Sequence, residues 1–220
     1  MSLLTPFRAT DLFKFNQINL DHWTETYSLS FYLTYISKWP ELCYTQYSSS
    51  SSSGSFCSIK SAAGNGASLE GGHGSMMGYV IGKAEGRDTG MERVKERHGH
   101  VTAITVAPEF RRLGVAKGLM NLLEDASEKV YNSYFVDLFV RPSNSLAVSM
   151  YEKLGYEVYR TVDKYYSGGG AGGTDENGWD MRKALSRDKK RETVRDGKKG
   201  RTVVVKPEDT WFEPARRPRP

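Results

Sequence analysis

The chain has 220 residues, of which 38% are hydrophobic, enough for one well-cored domain with appendages and short for two. No apolar run approaches the roughly 18 residues of a membrane span, the start MSLLTPFRATDLFKF lacks the Arg-rich, acid-poor character of a transit peptide, and two cysteines, Cys43 and Cys57, are too few for a disulfide framework or a cysteine-built zinc site. The formal charge of +5 does not describe a broadly basic domain: residues 186–220 hold 12 Lys or Arg against 6 Asp or Glu, which leaves 19 basic and 20 acidic residues before them. A cytoplasmic, reduced protein is expected, with no metal, no membrane partner and no specific DNA partner.

In chain order, LTPFRA reads as a strand, and Thr10 or Asp11 caps a short helix over DLFKFNQI. A second helix is predicted around SFYLTYISKW, where Phe31, Tyr32, Tyr35, Ile36 and Trp39 recur at helical spacing and Pro40 stops it. The runs ELCYTQY and MMGYVIGKA each read as a strand. Between them, 17 of the 28 residues from 48 to 75 are Ser or Gly. Such a segment cannot bury enough apolar surface to offset the cost of ordering, so a disordered loop on a hairpin is predicted. GHVTAITVA alternates as a strand, and Val115, Leu119, Leu122, Leu123, Ala126 and Val130 make one face of a long helix. SYFVDLFV, a near-continuous apolar run, is expected in a central strand. SNSLAVSMYEKLG is a helix capped by Ser143 or Asn144 and ended at Gly155. YEVYRTV and GWDMRKAL close as strands around a second low-complexity loop, residues 167–178, and beyond Leu185 a charged, Pro-containing tail with a lone TVVV patch is expected to be flexible or ordered by a partner. The sum is an α/β protein with one mixed, mostly antiparallel, twisted sheet and helices on both faces, its domain spanning 1–185 with the insertion at about 48–75 and the basic tail over 186–220.

One segment asks for a chemical reading. RRLGVA puts two arginines at a helix N-terminus, where the macrodipole is already positive and the first-turn N–H groups have no intrahelical partners. A glycine there lets a ligand approach the backbone. Two readings stand: a site for a multiply charged anion such as a diphosphate, or an ordinary helix start with solvated arginines.

The spacing Arg111-x-x-Gly114-x-Ala116 resembles the Arg/Gln-x-x-Gly-x-Gly/Ala motif of the GCN5-related N-acetyltransferase (GNAT) superfamily. Val140, Ser143, Asn144, Ala147, Tyr151, Gly155 and Tyr156 resemble that family's second signature, in the right order and with the intervening helix. Residues 3–47 and 76–188 are closer still to N-terminal acetyltransferases of the NatB type; the Ser/Gly insertion and the basic tail depart from that pattern.

The resemblance implies the GNAT fold, acetyl-CoA as cosubstrate, and acetyl transfer to proteins beginning Met-Asp, Met-Glu, Met-Asn or Met-Gln. It also implies a large helical-repeat auxiliary subunit, and nascent polypeptide N-termini met at the ribosome. By the same resemblance, Ile104 and Val106 hold the acetyl and pantetheine groups through their backbone, and Arg111, Arg112, Leu113, Gly114, Val115, Ala116 and Asn144 complete the coenzyme site. Tyr151 faces the coenzyme sulfur and is the candidate to protonate the leaving thiolate; its alternative is a core tyrosine. His100, with Gly99 and Thr102 beside it, is the candidate reader of the second side chain, because an imidazole can bond to a carboxylate or an amide; a satisfied histidine is the alternative. Glu25 and Tyr27 resemble peptide-gripping positions, with a helix-capping Glu as alternative, and Tyr165 and Tyr166 sit where a late hairpin closes over the peptide, with an aromatic pair as alternative. The aromatic-rich stretch from Phe13 to Trp39 offers a docking face for the partner. Two other readings remain: a GNAT enzyme of different N-terminal or lysine specificity, and a ribosome- or RNA-binding module using the basic tail.

Overall fold

A computed structural model of the chain describes residues 2–15, 18–19, 24–49, 74–86, 97–168 and 174–210. The expected disordered insertion falls mostly on residues 50–73, outside the described residues, as do the last ten residues of the tail.

The strands are β1 (Ser2–Pro6), β2 (Cys43–Ser48), β3 (Met76–Glu85), β4 (His98–Val106), β5 (Phe135–Val140), β6 (Glu157–Tyr166), β7 (Glu176–Ala184) and β8 (Val204–Val205). They form one sheet in the spatial order β1-β2-β3-β4-β5-β7-β6-β8. All neighbours are antiparallel except β4 with β5 and β6 with β8. The helices are α1 (Leu29–Lys38), α2 (Val115–Lys129), α3 (Ser145–Lys153) and α4 (Gly197–Thr202). The expected mixed, mostly antiparallel sheet is what the chain forms.

Strand alternation sends successive side chains to two cores. Val80, Val101, Val136 and Leu138 meet Leu119, Met120 and Leu123 of α2 and Tyr151 of α3 on one face. Tyr79 and Ile81 meet Tyr32 and Tyr35 of α1, together with Phe7 and Phe15, on the other. Leu119 and Leu123 have no exposed surface, so truncating either to Ala removes about 2–5 kcal/mol.

Four local expectations are corrected. The first helix is a 3-10 turn over Ala9–Phe13; Asp11 is buried, accepts from the Arg8 N–H at 2.8 Å and takes the Tyr47 hydroxyl at 2.7 Å, which ties the turn to β2. Val130 lies just past α2 and is exposed, because the chain turns away through Asn132 at φ 52°. Residues 176–178, expected in a loop, open β7. Residues 186–210, expected to be flexible or ordered by a partner, pack on the chain's own sheet: Val204 and Val205 of the TVVV patch pair in parallel with Thr161 and Val162, covering what is otherwise an open strand edge. Buried Asp188 accepts from the Thr193 N–H and hydroxyl at 2.8 and 2.7 Å and fixes the approach to that edge.

Candidate active site

The parallel pairing of β4 and β5 is short. It runs from His98 opposite Phe135 to Val101 opposite Leu138, although β4 continues to Val106 and β5 to Val140. A register shift explains the parting: Ile81 of β3 faces Ala103 while Gly82 faces Val101, so Thr102 is an extra residue on β4. The bulge also reverses the alternation, sending Val101 and Ile104 to the α2 side and Ala103 to the α1 side. No strand among the described residues pairs with the β5-facing edge of β4 beyond Val101. A cavity of about 1280 Å³ occupies the wedge.

One end of this cavity is built from backbone and helix N-termini. Ile104, Val106, Arg111, Arg112, Gly114, Val115, Ala116 and Asn144, the residues expected to hold the coenzyme, all line it. Two helices aim their first turns at it, through Val115 and Ala116 of α2 and Leu146 and Ala147 of α3. Gly114 stands immediately before α2 at φ 82°, a left-handed conformation that suits glycine, and a Cβ built there meets nothing within 4 Å. Arg112 also has a positive φ of 65°, and Arg111 donates from Nε to the Val106 carbonyl at 3.3 Å, tying the loop to β4. Successive N–H groups in such a loop, two helix N-termini and two guanidiniums together form an anion cradle, and an open surface over Gly114 lets a phosphate approach. The residues present therefore fit a diphosphate-bearing coenzyme. Leu113 is the exception: its side chain is exposed and does not reach the cavity. Asn144 caps α3, accepting from the Ala147 N–H at 3.2 Å, which settles the choice between it and Ser143.

The other end is built from side chains brought in from distant segments. Glu25, Tyr27, His100, Thr102, Tyr165 and Tyr166 line it. Glu25 does not cap α1, whose N-cap is Ser28, accepting from the Phe31 N–H. Instead it meets Arg141 at 3.3 Å, and Arg141 also reaches Glu176 at 3.3 Å and lies 4.1 Å over the Tyr166 ring. The Tyr27 ring stacks on Phe31 at 4.2 Å, and burial first, then the charge of Glu25, pushes its phenol well above the ordinary range. Tyr165 stacks on Phe139 at 4.5 Å and meets Tyr166 edge-on at 4.9 Å, so the two adjacent tyrosines pack in different directions. Thr102, on the bulge, donates to the Tyr35 hydroxyl at 3.3 Å. Gly99 is not brought to the cavity. It faces α2, where an added Cβ would stand 2.1 Å from the Ser127 hydroxyl.

Between the two ends, Tyr151 of α3 lines the cavity while only 7% exposed. Burial pushes its phenol well above the ordinary range, so it keeps its proton across neutral pH and in a proton transfer is the acid rather than the base.

Sequence reasoning passed over Arg141, Glu176, Tyr35 and Asp137. Arg141 carried a usable signal, a cation immediately after the apolar strand β5 and before the α3 cap. Asp137 carried another, a lone carboxylate within that strand, since a charge there needs a partner. Nothing local marks Glu176 or Tyr35.

A sheet wedged open beside two helix N-termini, with a hydroxyl-lined pocket beyond, forms a two-ended site with room for a phosphorylated ligand at one end and polar side chains at the other. A profile described as the Acetyltransferase (GNAT) family matches residues 20–156, and the chain belongs to that family. It is similar to the N-terminal acetyltransferase B complex catalytic subunit naa20 of Schizosaccharomyces pombe, with 48% identity over 94% of this chain and 97% of that protein. Among solved structures it resembles Chaetomium thermophilum Naa20 in complex with a bisubstrate analogue, at 36% identity and a TM-score of 0.75 over 96% of this chain and 100% of the other. It also resembles a chain of the NatB acetyltransferase complex bound to CoA and MES, at 34% identity and a TM-score of 0.60 over 83% and 99% of the two chains. Within the family, the chain is accordingly an N-terminal acetyltransferase.

Proposed function

We propose that this enzyme moves the acetyl group of acetyl-CoA to the α-amino group of proteins beginning Met-Asp, Met-Glu, Met-Asn or Met-Gln. The observation that carries the reading is the two-ended cavity itself: an anion cradle on one side of the β4–β5 wedge, and a pocket of carboxylate, imidazole and phenol groups on the other. The relatives' designation as catalytic subunits of a B complex supports a heterodimer with a large auxiliary subunit. Exposed Phe13, Leu29 and Leu33 around α1 support a docking face for it. Nascent N-termini at the cytoplasmic ribosome are the proposed substrates. We also propose that residues 1–210 work as one catalytic unit, since the segment after Leu185 completes the sheet and its Pro207 and Thr210 line the cavity.

Acetyl-CoA supplies an activated acyl thioester. The proposed work of the chain is to hold the diphosphate with Arg111, Arg112 and the first turn of α2, and the acyl and pantetheine groups along the open edge of β4 at Ile104 and Val106. The substrate amine needs orientation more than a base, because an N-terminal amine has an unperturbed pKa near 8 and a useful fraction is neutral at cellular pH. Glu25 attracts the ammonium form to the mouth, and Tyr27, Tyr165 and Tyr166 hold the peptide. Tyr151 holds a proton that it can give to the departing sulfur. His100 meets the second side chain.

Acetyl transfer to a panel of N-terminal peptides, with the auxiliary subunit present, tests this reading. Met-Asp, Met-Glu, Met-Asn and Met-Gln peptides are expected to exceed Met-Leu, Ser-starting and lysine-only peptides by at least ~10-fold in kcat/KM, a difference of about 1.4 kcal/mol. Equal rates for Met-Leu and Met-Asp would overturn the specificity and leave a GNAT enzyme of another preference.

A further inference from the structure

A lysine that the site has not yet used lines the peptide end. Lys83 of β3 is the register partner of His100 and reaches the cavity with its side chain only 12% exposed. Its direction follows from its neighbour: a Cβ added at Gly82 would stand 2.6 Å from Leu123 of α2, so alternation turns Lys83 to the opposite face. Tyr35 and Thr102 line the cavity there, and the Tyr35 phenol, pushed up by burial, is drawn back by the charge of Lys83.

Glu85, two residues further on and on the same face, meets the ammonium at 2.6 Å. Burial would raise its carboxyl, but the bond with His98 and the charges of His100 and Lys83 outweigh it and hold it below the usual range, so Glu85 is an anion at working pH. Among the described residues Glu85 is the one hydrogen-bond partner of Lys83. An ammonium carries three donors, which leaves two for a ligand in the cavity. The other cations at this end are spent or solvated: Arg141 is shared between Glu25 and Glu176 at 3.3 Å each, and Lys164 is exposed.

The side chains of Asp, Glu, Asn and Gln differ in length and charge, but all end in an oxygen that accepts. A reader of all four must donate and must tolerate both lengths. Lysine does so, because its donors rotate on a flexible stem. Its bond to a carboxylate is charge-assisted from both sides and stronger than its bond to an amide, whereas a Leu side chain would leave the desolvated donors unmet. We propose that Lys83 is a specificity-determining residue that donates to the oxygen of the second side chain, and that Glu85 tempers its charge so that amide as well as acidic residues are accepted. The proposal rests on the reading of this end as the pocket for the second residue.

The test is kcat/KM for Met-Asp, Met-Asn and Met-Leu peptides of otherwise identical sequence, measured with the full chain and its auxiliary subunit. Ratios are taken within each variant, so a smaller folded fraction cancels. Lys83→Met keeps the apolar stem and removes the donors; the Met-Asp to Met-Leu ratio is expected to fall by about 10-fold or more, and the Met-Asn to Met-Leu ratio by about 3-fold. Glu85→Gln acts in the opposite direction, with the Met-Asp to Met-Asn ratio expected to rise by about 3-fold. Lys83→Met combined with Glu85→Gln removes both charges and is expected to keep the Met-Asp to Met-Asn ratio low. If the double variant restores that ratio, the loss in Lys83→Met came from an unpaired Glu85 repelling the substrate, and the proposal is overturned. A Met-Asp to Met-Asn ratio that does not rise in Glu85→Gln overturns the part assigned to Glu85. Unmodified enzyme that fails to favour Met-Asp over Met-Leu sinks the proposed specificity and this inference with it. If that preference is present and Lys83→Met retains it, only the role of Lys83 fails.

Discussion

The two ends of the cavity are made of different material. The end proposed for the coenzyme is largely a continuous piece of chain, the edge of β4, the loop leading to Gly114 and the first turn of α2, joined by α3. Its chemistry resides in backbone N–H groups, a glycine and two arginines. The peptide end gathers single side chains from the segment before α1, from β4, from the end of β5 and from the β6–β7 hairpin, and an ion-pair chain from Glu25 through Arg141 to Glu176 spans the elements. A backbone site tolerates no change of conformation but reads only charge and shape. A side-chain site reads a particular functional group, and its parts can be exchanged one at a time. On the proposed function, the first therefore selects the cosubstrate class and the second the substrate.

Tyr151 belongs to neither end, and its substitution breaks the comparison most severely. Tyr151→Phe keeps the ring that packs edge-on against Tyr156 at 5.9 Å and removes only the hydroxyl. A loss of about 100-fold in kcat is expected, with KM for acetyl-CoA and for peptide each little changed. A matching rise in either KM with kcat preserved would make Tyr151 a packing residue.

The coenzyme end comes next. Replacing Arg111 and Arg112 together by Ala is expected to raise KM for acetyl-CoA by ~10- to 100-fold, the effect shrinking as salt is added, without altering the ranking of peptides. If the ranking shifts along with the acetyl-CoA KM, the two ends are coupled and the division drawn between them fails.

The same division accounts for what could be read from sequence. The loop and helix start proposed to hold the coenzyme were legible as structure because Arg111, Gly114 and Ala116 occupy one short motif, with a strand before and a helix after. The sheet was legible for similar reasons, as alternation and apolar runs are local. The wedge itself was not, because it depends on an extra residue at Thr102 that shows only when β4 is set against β3. The Glu25–Arg141 contact joins residues 116 apart in sequence, and no local pattern announces it. Gly99 was misplaced because its neighbour His100 faces the cavity while strand alternation turns Gly99 to α2. The segment after Leu185 was misread because its charge resembled that of a solvated tail, whereas the buried bonds of Asp188 and the pairing of Val204 and Val205 hold it to the sheet.

At the peptide end, Arg141→Gln is expected to raise peptide KM by about 3- to 10-fold and leave acetyl-CoA KM unchanged. The effect is smaller because the ion pairs of Arg141 are partly solvated and share one guanidinium. It also removes a cation from above the Tyr166 ring. An unchanged peptide KM would mean that Glu25 and Tyr166 hold their places without it.

The smallest expected effect concerns stability, and it asks whether the polar layer under the peptide end belongs to the fold as well as to the site. The Asp137 carboxyl is held below its ordinary range in the folded chain, while in the unfolded chain it titrates near an ordinary value of about 3.9. A depressed group of this kind binds fewer protons when folded, so its contribution is complete above that unfolded value and is lost as pH falls from there through the folded value. Urea midpoints of the unmodified chain and of Asp137→Asn should therefore differ above about pH 4 and converge as pH falls below it. A gap that persists unchanged into acid would mean that the substitution acts through packing or an unsatisfied amide. Convergence would show that the contact between Asp137 and His100 helps to hold β4 against β5, so that the polar layer under this end of the cavity carries part of the fold's stability in one buried charge.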